Sequence, residues 1–189
     1  MNKSRAIWLF LVALSAFAEA CVNHGSEKPA PTVAASPTRI SVAEINAYIR
    51  TGRAETKMAG DLLNKWDADT NAATSLENLK QIEIDESTIL DQAVQHHNKS
   101  AELMNIVQSA HPTSCVESAS IMTKMAIEDL AVEIEKRDLL IQSDISTAAG
   151  VAQFRRAFAP LSAKEHAIVD KKNAYMESAA YKNACGPND

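Results

Sequence analysis

Between residues 41 and 185, apolar side chains recur every three or four positions, the period of a helix with one buried face. The first run predicts a helix from about Val42 to Trp66, with Ile45, Ile49, Gly52, Ala59, Leu63 and Trp66 on one stripe. The second runs from Leu76 toward Ala110 through Leu79, Ile82, Ile89, Ala93, Leu103 and Val107. Residues 83–88 mark a candidate break within it, and His111-Pro112 ends it because the residue before proline avoids the α region. The third runs from Cys115 to about Gln142, with Ala119, Met122, Ala126, Leu130 and Ile134 inward. Its expected outer face carries Glu128, Asp129, Glu133, Glu135, Lys136 and Arg137. The fourth covers Ser146–Ala159, is expected to kink or stop at Pro160, and restarts at Ser162 toward Ala184. Ser41-x-x-Glu44, Thr74-x-x-Glu77, Ser114-x-x-Glu117 and Ser162-x-x-Glu165 each match a capping box ahead of a periodic run.

Short connections between long helices favour antiparallel neighbours. The expected fold is therefore all-α: an up-down-up-down bundle of four long helices over residues 41–185, the fourth kinked near Pro160, with 186–189 as a tail. In that topology Cys115 opens the third helix and Cys185 closes the fourth, so both stand at one pole. A Cys115–Cys185 disulfide is geometrically sensible there.

Ahead of the bundle the pattern changes. Lys3 and Arg5 precede the apolar run Ile7–Leu14, and Ala18-Glu19-Ala20 supplies small residues at −3 and −1 of a cleavage point. Residues 1–20 read as an export signal. Residues 21–40, with Pro29, Pro31 and Pro37, read as a flexible tether. Cys21 at +1 of the cleavage point resembles the lipobox of bacterial envelope lipoproteins, although Ala18 and Glu19 depart from the usual Leu or Val and small residue. The resemblance implies a diacylglycerol on the Cys21 thiol and an acyl chain, such as palmitate, on its amino group. Val22 at +2 then implies an outer-membrane anchor facing the periplasm. The alternative is ordinary secretion into the periplasm or beyond, with cleavage after Ala20. Lipidation of Cys21 leaves an even pair of cysteines for an oxidising compartment.

Composition narrows the function classes. The chain has 189 residues, a formal charge of −5, 46% hydrophobic residues and 5% aromatics. Its length suits one domain plus tails, and its negative balance argues against nucleic acid as a partner. The chain lacks CxxC and HExxH, and no His has Glu three residues before it, as a di-iron bundle would need. With no nucleophile elbow or phosphate loop either, the expectation is a protein with no enzymatic activity, no cofactor and no metal.

Two polar constellations remain. Glu128, Asp129, Glu133 and Glu135 form a candidate acidic face for a basic protein partner. Glu86, His96, His97 and Ser100 form a candidate polar pocket, with His96 placed near the core stripe; the bland alternative is a register-fixing polar layer. The first functional reading is accordingly a lipid-anchored, protein-binding envelope protein. One version is an inhibitor or immunity lipoprotein against a cell-wall-targeting toxin. The second reading is a periplasmic sensor or carrier that binds a small molecule or metal.

Overall fold

A computed structural model describes residues 40–184. The expected export signal, Cys21, most of the tether, Cys185 and the tail lie outside the described residues. Within them the protein is all-helical, with six helices packed together and no strand. They are α1 (Val42–Asn71), α2 (Leu76–Asp85), α3 (Ser87–Ala110), α4 (Ser114–Gln142), α5 (Ala148–Glu177) and α6 (Ala179–Lys182). None of these helices is long and apolar enough to cross a membrane.

Hydroxyl side chains set most of the helix starts. Ser41 completes a capping box: its Oγ accepts from the Glu44 N–H, and the Glu44 carboxylate accepts from the Ser41 N–H at 2.8 Å. The other three matches are corrected by the structure. Ser75, not Thr74, caps α2. Thr113, not Ser114, caps α4. An adjacent hydroxyl serves equally well, and the four-residue pattern does not discriminate between neighbours. Ser162 caps nothing, because α5 begins at a Thr147 cap and continues through Pro160. Both Pro160 and Arg156, whose carbonyl loses its usual donor, are exposed, so water can replace the missing backbone bond. The candidate break in the second run is real: the backbone leaves helical geometry at Glu86 (φ −106°, ψ 17°), which separates α2 from α3.

The most extensive seam joins α1 to α3, followed by α3 to α4 and α4 to α5; α2 lies against α4 and α1. Gly52 lies on the α1–α3 seam, where a Cβ would stand 2.6 Å from Cε of Met104, the movable end of a flexible side chain. A buried Thr56–Ser100 hydroxyl pair, 3.0 Å apart, crosses the same seam. The apolar core is divided into patches rather than continuous. Ile45, Ile49, Val107 and Val116 form one; Ala59, Leu90, Ala93 and Leu130 a second; Leu140, Ile145 and Phe154 a third. Each fully buried aliphatic such as Leu90 contributes about 1.5–3 kcal/mol of transfer free energy.

The start of α4 meets the end of α6. Ser114 Oγ donates to the Ala184 carbonyl at 2.8 Å, and the Tyr175 hydroxyl lies 3.0 Å from Ser118 Oγ. Cys115 is disulfide-bonded. Its expected partner, Cys185, follows Ala184 outside the described residues.

Candidate functional site

Sequential seams join α1, α3, α4 and α5, but α1 and α5 share no comparable seam among the described residues. Between them lies a cavity of about 450 Å³. Leu63, Trp66, Asp67 and Thr70 of α1 form one wall, and Leu79 and Glu83 of α2 form a second. Ala126, Asp129, Leu130, Glu133, Lys136 and Arg137 come from α4. Phe154, Phe158, Glu165, Val169 and Lys172 come from α5, and His97 from α3. The volume falls in the range of small-molecule sites, and the wall combines apolar side chains with many charged and polar ones.

Ionisable groups are built into this wall rather than scattered over it. Lys136 is buried and bonded to Glu165 of α5 and, at 3.0 Å, to Glu133 one helical turn before it. Lys172, also buried, lies 3.5 Å from Asp129. Glu83 is 6% exposed and accepts from the Trp66 indole N–H at 3.0 Å. Arg137 is held by Asp91 and Asp138, each at 2.9 Å, and by the Ser87 carbonyl.

One ammonium between two carboxylates cannot neutralise both. Burial first, and then the neighbouring Glu165 charge, push the Glu133 carboxyl up to about 7 against the opposing pull of Lys136. Lys136 itself is raised: burial works against its charge, but Glu133 and Glu165 outweigh that effect. Lys136 stays charged, and the Glu133 carboxyl holds its proton more readily than an isolated one would. Burial also raises Glu83 against the Trp66 hydrogen bond, and raises Asp129 against Lys172. The Asp129 Oδ1 atom is buried with no hydrogen-bond partner.

The expected outer face of α4 holds at Glu128 and Glu135 and is corrected at Lys136 and Arg137. Lys136 and Arg137 are 5% and 8% exposed, and the four acids of the candidate face turn toward α5 or the cavity. Asp129 and Glu133 line the cavity. Glu128 and Glu135 remain exposed but pair with Lys171 at 3.5 Å and Lys164 at 2.9 Å, both from α5.

The candidate polar pocket is likewise dispersed. His97, not His96, is the core residue at 1% exposure; burial, with the His96 charge adding to it, lowers its pKa to about 4. His96 points to Glu55 of α1 at 2.6 Å. Glu86 bonds Lys65. Ser100 lines a separate small void of about 40 Å³ with Gly52, Thr56 and Cys115. Among the described residues no group of three or more His, Cys, Asp or Glu is arranged to hold a metal ion.

The α4 and α5 contributors were readable in principle. Asp129, Glu133, Lys136 and Leu140 are spaced by four, three and four residues, and Glu165, Val169 and Lys172 by four and three. Each set is a helical stripe that mixes charges with an apolar member. No protein-family model, curated protein or solved structure matches the chain.

Proposed function

We propose that this chain is an exported, non-enzymatic helical protein that binds a small molecule in the α1/α2/α4/α5 cavity, as a periplasmic carrier or sensor. Its anchor is the Cys21 lipid in the outer membrane, and residues 21–40 hold the domain off the bilayer. Its long helices follow an up-down-up-down order, closed at one pole by a Cys115–Cys185 disulfide. The single observation that carries the binding reading is the cavity of about 450 Å³ standing where a closed bundle would pack α1 on α5. The apolar side chains of that wall lack packing partners across the gap, and the body of a ligand would supply them.

The competing proposal is capture of a basic protein, for example a toxin aimed at the cell wall. It draws on an acidic face whose four carboxylates are each paired with a lysine of the same chain. It is therefore the weaker of the two.

Native mass spectrometry of protein extracted gently from membranes tests the binding reading. The expected result is a stoichiometric non-covalent adduct that disappears on denaturation, or saturable one-to-one uptake of an added apolar or amphipathic probe. Protein that carries no adduct and takes up no neutral, cationic or anionic probe would refute it.

A further inference from the structure

We infer that the cavity takes an amphipathic organic cation: an amine or quaternary ammonium carried on an aromatic or branched aliphatic body. This inference rests on the small-molecule reading and specifies its ligand.

The charge inventory of the wall supports it. Five carboxylates line the cavity (Asp67, Glu83, Asp129, Glu133, Glu165) against three cationic groups, Lys136, Arg137 and Lys172. All three cations are already engaged. Lys136 is bonded to Glu133 and Glu165, Lys172 to Asp129, and Arg137 to Asp91 and Asp138, two carboxylates outside the cavity wall, while its charge also reaches Glu83. An anionic ligand would have to displace an existing carboxylate from a lysine while facing the remaining ones. A cation meets the opposite situation, since unneutralised carboxylate charge in a partly dry wall is what it compensates.

The apolar part of the wall matches the same ligand class. The Trp66 indole is fixed beside Glu83 by its own N–H donation at 3.0 Å, which sets an aromatic ring next to a carboxylate. The Phe154 and Phe158 rings pack at 5.3 Å on the α5 side. The wall already uses cation–π attraction, with Lys136 Nζ 5.5 Å from the Phe158 ring centre. Aromatic rings combined with carboxylates in a concave site are the donor set for an alkylammonium head, whose methyl or methylene surface prefers ring faces to water. Leu63, Leu130, Leu140 and Val169, also in the wall, supply apolar surface for the body.

The test is a calorimetric titration at pH 8 of the full lipid-anchored chain in detergent with three probes of one shape. They are naphthylmethyl-trimethylammonium, its neutral all-carbon isostere, and naphthylacetate. The expected result is one-to-one binding of the cation at least about tenfold tighter than the neutral isostere, with the anion weakest. In the double variant E83Q/E133Q that preference should shrink to within about threefold, while the neutral isostere still binds as in the wild type. The neutral probe thus reports that the pocket survives the substitutions. Equal affinity for cation and neutral isostere, or an anion that binds best, would overturn the cation inference and leave the pocket reading standing. Failure of all three probes would overturn both. A wild-type preference for the cation that the double variant retains would overturn the role given to Glu83 and Glu133.

Discussion

Glu133→Gln should stabilise the protein at alkaline pH, although it deletes one arm of a buried ion pair. The reasoning starts from the folded-state carboxyl, pushed from 4.5 up to about 7 by burial and by Glu165. A carboxyl raised in the fold binds its proton more tightly there than in the unfolded chain. Folding therefore takes up protons between these two values, and stability falls as pH rises through that window. The interval corresponds to about 3 kcal/mol, lost progressively between pH 4.5 and pH 7 and fully absent at pH 8. Glutamine mimics the protonated acid in shape and charge and has no such dependence. Lys136 keeps Glu165 as its partner in the variant. Urea unfolding followed by circular dichroism, for both proteins from pH 4.5 to pH 8, reads the effect as a difference between two curves. Other carboxylates contribute to both curves and cancel. The variant should match the wild type near pH 4.5 and exceed it by about 3 kcal/mol at pH 8. A difference that stays flat with pH, or a variant that loses stability at pH 8, would refute the account of one ammonium shared by two buried acids.

Lys136→Met should behave oppositely, costing about 3 kcal/mol at pH 8, where two partly buried carboxylates lose their cation, and much less at pH 4.5, where both can be protonated. His97 is lowered from 6.5 to about 4 by burial, so it contributes stability that is complete above pH 6.5 and lost as pH falls toward 4, about 3 kcal/mol in all; His97→Gln should flatten that limb of the same urea titration. Gly150→Ala places a Cβ 1.8 Å from the Asp144 carbonyl oxygen, a backbone atom that cannot step aside, and should cost about 2 kcal/mol or more in thermal or urea unfolding. Gly52→Ala meets only the flexible Met104 methyl and should stay within about 1 kcal/mol of wild type, since the gain in helix propensity offsets the contact. Reduction of the Cys115 disulfide should lower stability by about 2–5 kcal/mol, read as a shift of the urea midpoint with dithiothreitol.

The helices were legible because their stripes are built from Leu, Ile, Val and Ala with few interruptions, and burial of those residues outweighs local detail. Ile45, Ile49, Ala59, Ala93, Val107 and Leu130 are all buried as the periodicity predicts. Boundaries were less legible where two hydroxyls stand side by side, as at Thr74-Ser75 and Thr113-Ser114, since either can cap. Pro160 reads as a kink or a stop on local grounds, but an exposed helix face lets water substitute for one backbone donor and the helix continues. The site was obscured for a different reason. Lys136 and Arg137 were expected outside because isolated charges are costly to bury, and the compensating partners Glu165 and Asp91 sit on other helices. No reading of α4 by itself supplies them. His96 and His97 differ by 100° around the helix, and a broad apolar stripe does not fix which of two neighbours falls inside it.

The most direct test of the central claim is to fill the cavity and measure binding. Val169 lies on the α5 wall and is only partly buried, so Val169→Trp adds bulk into the existing space rather than into the packed seams. Calorimetry with the naphthylmethyl-trimethylammonium probe should give one-to-one saturable heat for the wild type and none for the variant, with helical circular dichroism unchanged. Equal binding by a folded Val169→Trp protein would contradict the assignment of this cavity as the binding site.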